Sequence, residues 1–440
     1  MEKLRRAVSE IAYSRDRSKL SSLHRSLLPL LSLASSVYGL ALSLRHHLYR
    51  SRLFSKRRNA VCSNDSLAVL RLWRLPVPVI SVGNLTWGGN GKTPMVEFIA
   101  ALLADSGISP LILTRGYAGG DEARMLQRHL LGKPAKVGVG ANRAVTAAAF
   151  IEKYGYRDLR NRGCLKGGST DHKMGEKAES NDQICFDHCS EEIGAAILDD
   201  GMQHWQLLRD LDIVMVNGLC PWGNHQLLPL GPLREPLTAL GRANIAVIHN
   251  ADLVSEQTLA SIESAIREFN KSIKVLFTKM APSYFFEVVN MNSIIPLEAV
   301  SNNVVLCVSA IGSADAFVKS VEKLGAIHVE RLDFSDHHLF QTMEIDMIKK
   351  QLEDLESKFS SRPTVIVTEK VAVYSSQRMQ WNLLQEFVGG TTASKIDRCT
   401  LHLKLVPCII WQAYMSTNPA AFRFLVVWRS NAAASSHDRF

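Results

Sequence analysis

The sequence predicts an α/β fold, with a mostly parallel sheet covered by helices and a smaller α/β domain at the C-terminal end. Short apolar runs alternate with helical patterns from Pro76 onward, and most runs end in glycine or a polar residue. Strands that alternate with helices imply parallel pairing, because each crossover helix returns the chain to the same end of the sheet. With 46% hydrophobic and 21% charged residues among 440, the chain has a globular composition and enough length for two cores.

The elements of the main domain follow one another closely. The run "VPVISV" predicts a buried strand, and "MVEFIAALLADSG" has the helical spacing of an amphipathic helix that ends at Gly107. "PLILTRGY" predicts the next strand. "GAAILDDG", "LDIVMVNG" and "ANIAVIHN" predict three more strands of the same sheet. "VVLCVSAIGSADAFVKSVEKLGAIHVERLDF" begins a second α/β unit, and "PTVIVTEKVAV" adds a late strand.

Changes in composition divide the chain into segments. Residues 157–192 are polar, contain glycine and lack periodicity, which predicts a mobile surface insertion. The predicted segments are a possible transit segment (1–25), a basic membrane-associating helix (26–58), the main domain (59–280), a C-terminal α/β domain (281–408) and an atypical tail (409–440).

The positive charge lies at the N-terminal end. Residues 1–60 hold thirteen Lys or Arg and three Asp or Glu, whereas the whole chain has a formal net charge of +9. This distribution argues against a nucleic-acid partner and favours an anionic membrane surface or a targeting receptor. The uncharged run 26–44 favours a helix in the headgroup layer, with a bilayer span or a cleaved or buried segment as alternatives. The Arg- and Ser-rich residues 1–25 fit a mitochondrial or plastid transit peptide.

The loop "GNLTWGGNGKTP" joins the first strand of the main domain to its first helix. Its glycines and asparagine let several backbone N–H groups converge, and a Lys–Thr pair opens the helix. A P-loop holds nucleotide phosphate and magnesium with these groups, so the loop predicts a P-loop NTPase-like fold. The alternative is a glycine turn with a solvated lysine. The candidate nucleotide-binding residues are Thr86, Gly88, Gly89, Asn90, Gly91, Lys92 and Thr93.

Two carboxylates follow the apolar strand "AAIL". Asp199 and Asp200 are expected at the sheet edge where Lys92 and Thr93 lie. Magnesium prefers hard oxygen ligands, often one or two carboxylates together with phosphate oxygens and water. The pair therefore predicts a metal site, and a structural turn with two Asp residues is the alternative.

A base is needed where a hydroxyl attacks a terminal phosphate. Asp121 and Glu122 follow "RGYAGG" near the end of a predicted strand, and His337 and His338 occur in "DFSDHHLF". An Asp–His pair can orient and share the proton. An exposed, solvated turn is the alternative explanation of the two histidines.

Seven strings carry a family resemblance over roughly residues 26–373: "VPVISVGNLTWGGNGKTP", "LTRGY", "GDE", "LDDGMQHWQLLRDLDIVMVNG", "GNHQLLPLGPLREPL", "SAIGSADAFVKSVEKLGA" and "DFSDHH". Together, and in this order, they resemble the tetraacyldisaccharide 4′-kinase family of lipid A biosynthesis. The resemblance implies that residues 59–280 form a P-loop kinase domain. It also implies phosphorylation by ATP and Mg²⁺ of the 4′-hydroxyl of a tetraacylated glucosamine disaccharide 1-phosphate.

The same resemblance implies roles for individual residues. Asp121 would be the base, partnered by His337, with His338 as the alternative histidine. Lys92 and Thr93 would hold ATP and magnesium. Further metal positions would be Asp199, Asp200 and Glu235, and the substrate or supporting positions would be Arg115, Tyr117, Glu122, Gln203, His204 and Arg234.

The resemblance also implies a place in the cell. The family attaches to membranes through an amphipathic N-terminal helix, which agrees with residues 26–58. The insertions and the possible transit segment indicate an organellar, plant-type member, peripheral on the mitochondrial inner membrane, with the plastid less favoured. Two rival hypotheses are a membrane-associated adaptor that hydrolyses nucleotide without lipid kinase activity and an inactive variant whose tail prevents proper folding.

Overall fold

The computed structural model describes most of the main domain and of the C-terminal unit. The segments 51–72, 117–120 and 158–190 lie outside it, so most of the predicted insertion is not described, nor is the tail 409–440. The described residues are 2–14, 16, 18, 20–50, 73–116, 121–157, 191–287, 294–334, 338, 342–368 and 398–407.

Within these residues twelve strands form one sheet. The strands are β1 (Val79–Asn84), β2 (Ser109–Thr114), β3 (Lys136–Val139), β4 (Ile193–Asp199), β5 (Leu211–Asn217), β6 (Ile245–His249), β7 (Lys274–Glu287), β8 (Ile294–Ile295), β9 (Val304–Ser309), β10 (His328–Asp333), β11 (Thr364–Thr368) and β12 (Arg398–Pro407). Their order is β10-β9-β11-β12-β7-β6-β5-β1-β4-β2-β3, with β8 beside β7.

Parallel pairing dominates the sheet, as the alternation of strands and helices predicts. Only the β7–β12 and β7–β8 pairs are antiparallel among the described strands. The helices are α1 (Glu2–Tyr13), α2 (Ser22–Arg50), α3 (Lys92–Asp105), α4 (Asp121–His129), α5 (Arg143–Tyr154), α6 (Glu256–Phe269), α7 (Ala314–Glu322) and α8 (Thr342–Phe359). The prediction of a mostly parallel α/β fold is confirmed.

The central strands are buried because helices cover both faces of the sheet. Every residue of β1, β2 and β4 is buried, which explains their near-continuous apolar sequence. On one face, Ile197 packs with Ile99 and Leu103 of α3. On the other face, Leu198 packs with Ile151 of α5. Burial of one such side chain stabilises the fold by about 1.5–3 kcal/mol, so the strand edge that carries the loop and the carboxylates is rigidly held.

The C-terminal unit continues the same sheet. Strand β7 pairs with β6 over residues 274–278 and with β12 over residues 278–287. Strand β12 then pairs with β11, and β11 with β9. The smaller unit, with α7 and α8, is therefore joined to the main domain through β7 and β12.

The N-terminal helices form a hairpin that packs on the main domain. Ile11 of α1 and Leu20 are buried against Leu230. From α2, the Ser35 hydroxyl donates to the carbonyl of Leu227 at 2.9 Å. The segment predicted as a possible transit peptide thus contains a helix that contributes to the described core.

The opposite side of α2 is apolar and exposed. We call this surface the α2 stripe; its members recur at intervals of seven, three and four residues, which places them on one face of the helix. The α2 stripe consists of Leu23, Leu30, Leu33, Val37, Leu40 and Leu44, all at least 60% exposed.

Candidate active site

The loop between β1 and α3 has the backbone that its glycines predict. Gly88, Gly89 and Gly91 have φ angles of 61°, 51° and 76°, which lie in the left-handed region that glycine adopts without strain. Gly91 is also close to the ring of His249, since a Cβ on Gly91 would lie 2.6 Å from His249 Cδ2. Glycine is therefore required at position 91 by conformation and by space.

Side-chain amides fix the loop. The Asn90 amide donates to the Thr86 hydroxyl at 3.0 Å and to the carbonyl of Gly88. The Asn217 amide, at the end of β5, donates to the carbonyl of Gly89 at 3.1 Å. These bonds use two carbonyl groups of the loop. The amides at the start of α3 have no intrahelical partner and are available to an anion.

Four side chains form a charged network at the end of β1 and β4. The Lys92 ammonium donates to the Asn84 side-chain carbonyl at 3.1 Å and lies 3.5 Å from Asp200. The Arg234 guanidinium contacts both oxygens of the Asp200 carboxylate. Burial alone would raise the pKa of Asp200, but Lys92 and Arg234 hold that pKa below its usual value. Asp200 is therefore a permanent carboxylate.

Asp199 is in a different environment although it is the neighbouring residue. It is 3% exposed, and its Oδ1 has no hydrogen-bond partner among the described residues. Burial, with the nearby Glu122 carboxylate, raises the pKa of Asp199 to about 7. The buried Arg143 guanidinium donates to the Asp199 backbone carbonyl at 3.0 Å. The side chain thus offers a buried oxygen whose charged form a nearby cation would stabilise.

A cavity of about 380 Å³ opens where these groups meet. The loop and the carboxylates line one side, and residues of the C-terminal unit line another. The lining from the C-terminal unit comprises Ile311, Gly312, Ser313, Ala316, Phe317, Ser320 and Thr368. The cavity therefore lies between the two units of the sheet.

The two units touch through backbone. A Cβ on Gly312 would lie 2.5 Å from the Gly89 nitrogen, and a Cβ on Gly89 would lie 2.5 Å from the Gly312 carbonyl oxygen. Ser313, which caps α7, lines the cavity beside this contact. The turn before α7 therefore packs directly on the loop between β1 and α3.

Most of the predicted site residues converge on the cavity. The predicted residues that line it are Gly88, Gly89, Asn90, Gly91, Lys92, Thr93, Arg115, Glu122, Asp199, Asp200 and Arg234. Asp121 begins α4, next to Glu122, but its side chain lies outside the described part of the structure. Tyr117 and His337 also lie outside the described residues.

Five predicted residues that the structure describes are not among the lining residues. Thr86 lies in the loop itself, where its hydroxyl accepts a hydrogen bond from the Asn90 amide at 3.0 Å. The Gln203 amide donates to the Asn84 backbone carbonyl at 3.0 Å. Burial and nearby arginines lower the pKa of His204 to about 4, so its ring is neutral at physiological pH. The Glu235 carboxylate lies 2.7 Å from Arg242. His338 lies 3.3 Å from Glu344 and stacks on a phenylalanine ring. Of the last four residues, only Gln203 reaches the start of the loop, through its bond to Asn84, and none of the four lines the cavity.

Other lining residues carry little or no local sequence signal. Arg143 follows an unremarkable "GAN" string, and only the fold brings its guanidinium to Asp199. His249 ends a predicted strand and is buried, with Nδ1 3.1 Å from the Thr278 hydroxyl. A polar residue at the carboxyl end of a parallel strand is the one signal that could have identified His249.

The combined geometry fits a polyphosphate with a divalent cation. The loop amides, the start of α3 and the Lys92 ammonium favour phosphate oxygens. The carboxylates Asp199 and Asp200 supply hard oxygen at the same place. The cavity also has an apolar portion, which includes Met280 and Phe317. This arrangement is typical of an enzyme that transfers a phosphoryl group.

Comparisons with known proteins identify the family. The model of the family described as LpxK, tetraacyldisaccharide-1-P 4′-kinase, matches residues 27–119 and 118–388. A relative from Arabidopsis thaliana, named a probable mitochondrial tetraacyldisaccharide 4′-kinase, is 54% identical over 370 residues, or 84% of this chain and 87% of the relative. A tetraacyldisaccharide 4′-kinase of Halothermothrix orenii is 32% identical over 359 residues, or 79% of this chain and 83% of the relative.

A solved structure supports the same fold. The crystal structure of LpxK from Aquifex aeolicus in complex with ATP superposes with a TM-score of 0.52 and 22% sequence identity. The match covers 89% of this chain and 98% of the crystallised chain. The extent of the family match and the identity to the relatives establish that the chain belongs to the tetraacyldisaccharide-1-P 4′-kinase family.

Proposed function

We propose that this chain transfers the γ-phosphoryl group of ATP to the 4′-hydroxyl of a tetraacylated glucosamine disaccharide 1-phosphate. As a member of the family the chain is a kinase of lipid A biosynthesis, and the predictions of an enzyme and of its reaction class are confirmed. The roles that we assign to individual residues rest on one observation: Lys92, Asp199 and Asp200 all line the same cavity. Among the described residues, no feature of the site favours the rival of a nucleotide-hydrolysing adaptor.

The phosphate tail of ATP is assigned to the loop and α3. The left-handed glycines give the backbone a concave path, and the amides at the start of α3 donate to phosphate oxygens. The Lys92 ammonium neutralises charge on the outer phosphates. Arg234 supports this role, because its guanidinium donates to both oxygens of Asp200 and so leaves the Lys92 ammonium available to the nucleotide.

The residues present fit a magnesium ion. The buried Oδ1 of Asp199 has no described hydrogen-bond partner, and the hydroxyl-bearing Thr93 lines the same cavity. Asp199, Asp200 and Thr93 would hold the ion. When bound, magnesium neutralises the charge that develops on the β- and γ-phosphate oxygens. Glu235 stays a predicted ligand, although its described contacts are with Arg242 and His46.

The transfer needs a base for the sugar hydroxyl. We assign this role to Asp121, with His337 as its partner; Asp121 begins α4, and the next residue, Glu122, lines the cavity. The Asp121 carboxylate accepts the hydroxyl proton, and the sugar oxygen forms a bond to the γ-phosphorus. The bond between that phosphorus and the bridging oxygen breaks, and ADP leaves.

The acceptor lipid requires a membrane-facing surface. Each acyl CH₂ removed from the bilayer costs about 0.8 kcal/mol, so the enzyme must reach the sugar at the headgroup layer. The α2 stripe supplies an exposed apolar face, and the other side of α2 packs on the protein. By length and composition α2 could span a bilayer. Because one face of α2 packs on the protein, we favour an interfacial position of this helix over a bilayer span.

The name of the Arabidopsis relative supports a mitochondrial location, and we assign the chain to the surface of the inner membrane.

A direct assay tests the proposal. The purified chain is incubated with MgATP and tetraacyldisaccharide 1-phosphate, and the lipid is analysed by mass spectrometry. We expect one added phosphate on the disaccharide. Hydrolysis of ATP without a phosphorylated lipid would support the adaptor and contradict the kinase assignment. The Lys92→Ala variant should give neither product and serves as the control for a contaminating kinase.

A further inference from the structure

Helix α1 is integrated into the main domain. Ala7, Ile11 and Ala12 of this helix are at most 7% exposed. The side-chain amide of Asn224 donates to the carbonyl of Ile11 at 3.1 Å, and its backbone N–H donates to the carbonyl of Ala12 at 3.0 Å. A segment held by buried apolar side chains and backbone hydrogen bonds is part of the fold.

The last residue of α1 contacts the loop between β1 and α3, residues 85–91, which we call the phosphate loop because the proposed function assigns the ATP phosphates to it. The Tyr13 hydroxyl donates to the backbone carbonyl of Trp87 at 3.2 Å, and the two rings lie 6.3 Å apart. Burial raises the pKa of Tyr13 well above its usual value, so the hydroxyl remains a donor. Trp87 immediately precedes Gly88 and itself lines the cavity.

Trp87 is held from two sides. Its backbone N–H donates to the carbonyl of Pro232 at 3.0 Å, while its carbonyl accepts the bond from Tyr13. The following residues turn into the left-handed region at once. The orientation of the Trp87 peptide groups therefore sets the direction in which the phosphate loop begins.

Two contacts from α2 reach the same site. The Tyr38 hydroxyl donates to the backbone carbonyl of Arg234 at 2.8 Å. The Arg45 guanidinium donates to the backbone carbonyl of Gln203. Arg234 pairs with Asp200, and Gln203 donates to the Asn84 backbone carbonyl. The hairpin that bears the exposed α2 stripe thus contacts three segments of the nucleotide site.

We propose that Tyr13 is a positioning residue for the phosphate loop, and that α1 is retained in the mature enzyme as part of the nucleotide site. This inference rests on the proposed function, since it assigns ATP to the cavity. It differs from the expectation that residues 1–25 form a possible transit segment, which stays a prediction. The hairpin then has two roles, with one face towards the membrane and the other supporting the site that binds ATP.

The test compares Tyr13→Phe with Tyr156→Phe in the full-length chain. Tyr156 is 48% exposed and does not line the cavity, so its variant is a matched loss of one hydroxyl. The affinity for MgATP is measured by calorimetry without acceptor lipid, and thermal unfolding is recorded without nucleotide. We expect about fivefold weaker ATP binding for Tyr13→Phe, the size of one neutral hydrogen bond, and no change for Tyr156→Phe.

The outcomes separate this inference from the proposed function. If Tyr13→Phe lowers the unfolding temperature but binds ATP as the wild type does, the residue is merely structural and the inference is wrong. If the wild-type chain binds no ATP, the proposed function fails as well.

A second measurement is the intact mass of the enzyme isolated from its organelle. We expect an N-terminus before Ala7, and a chain that begins after Leu20 would overturn the inference.

Discussion

The Arg234 guanidinium contacts both oxygens of the Asp200 carboxylate, each at 2.7 Å. Because Lys92 lies 3.5 Å from the same carboxylate, this pairing determines how much of the lysine's charge is available to a phosphate. Two parallel N–H···O bonds require the planar guanidinium, and a lysine at the same position cannot form them. The relationship explains why an arginine stands beside the phosphate loop.

Removal of Arg234 should weaken ATP binding. In Arg234→Ala, Asp200 loses its bidentate partner and draws more strongly on Lys92, so we expect a roughly tenfold loss of ATP affinity, equivalent to about 1.4 kcal/mol. Arg234→Lys should recover part of this loss. Calorimetry measures both. Arg267→Ala removes an exposed ion pair with Glu263 on α6 and should have no effect. Unchanged affinity in Arg234→Ala would contradict the role.

Loss of the proposed base should affect turnover and spare nucleotide binding. For Asp121→Asn we expect a fall in turnover of roughly a hundredfold to ten-thousandfold, the usual contribution of a general base. ATP affinity should stay close to that of the wild type. Asp105→Asn, at the exposed end of α3, is the control. A variant at position 121 with normal turnover would remove Asp121 from the mechanism.

Charge on the α2 stripe should release the enzyme from membranes. Leu33 and Leu40 are 65% and 72% exposed, and burial of a leucine in an apolar environment contributes about 1.5–3 kcal/mol. The double variant Leu33→Glu/Leu40→Glu should therefore bind anionic vesicles at least about a hundredfold more weakly. Sedimentation with liposomes measures the bound fraction.

A matched control adds the same charge outside the stripe. Ser36 and Ser43 are exposed on α2 and do not belong to the α2 stripe. Ser36→Glu/Ser43→Glu should retain most of the vesicle binding. Equal loss in both double variants would indicate that electrostatic repulsion, and not the apolar stripe, controls attachment.

The stability of the nucleotide-free enzyme should fall in acid because of His249. Burial lowers the pKa of His249 to about 4, from the ordinary histidine value of 6.5. Between these two pH values the unfolded chain binds a proton that the folded chain does not, so stability is lost as the pH falls from about 6.5 to 4. The linkage relation gives about 3 kcal/mol for this shift.

Substitution of His249 should remove its contribution to the pH dependence of the unfolding free energy. His249→Asn keeps an amide near the Nδ1 position that contacts Thr278. We expect a shallower slope of unfolding free energy against pH between about 4 and 6.5. Denaturation by urea at a series of pH values measures the slope. His47→Gln, at an exposed position of α2, should keep the wild-type slope. A steep slope that persists in His249→Asn would show that other groups dominate.

A side chain at position 312 should separate the two units at the cavity. The added Cβ of Gly312→Ala would lie 2.5 Å from the Gly89 backbone nitrogen, so the phosphate loop or the turn must shift. Overpacking of this kind costs about 1–3 kcal/mol, and we expect roughly tenfold weaker ATP binding. Gly241→Ala is the control, since its Cβ would meet its nearest neighbour at 3.8 Å. Normal affinity in Gly312→Ala would show that the contact is not needed.

The local parts of the fold and site could be predicted from the sequence. Buried parallel strands have continuous apolar runs, and the runs "VPVISV" and "GAAILDDG" correspond to β1 and β4. The phosphate loop is contiguous in sequence, so its glycines, Lys92 and Thr93 are recognisable without a structure. These parts depend on neighbours within about ten positions of one another.

The remaining parts depend on contacts between distant segments. Arg143 reaches Asp199 across 56 positions of the chain, and no periodicity signals such a contact. The contact between the backbones of Gly89 and Gly312 depends on how the two units of the sheet pack against each other. The composition of residues 1–25 fits a possible transit segment, and composition cannot show that Ile11 has a buried partner in Leu230.

Strand β12 lies between β7 and β11, although it is the last described element of the chain. A frameshift or a splicing error upstream of Arg398 would delete an interior strand and expose two unpaired edges, which are templates for aggregation. An mRNA with such an error would encode an insoluble protein, although every residue of the phosphate loop would be present. A change confined to codons beyond Pro407 would leave all the described strand pairs in place.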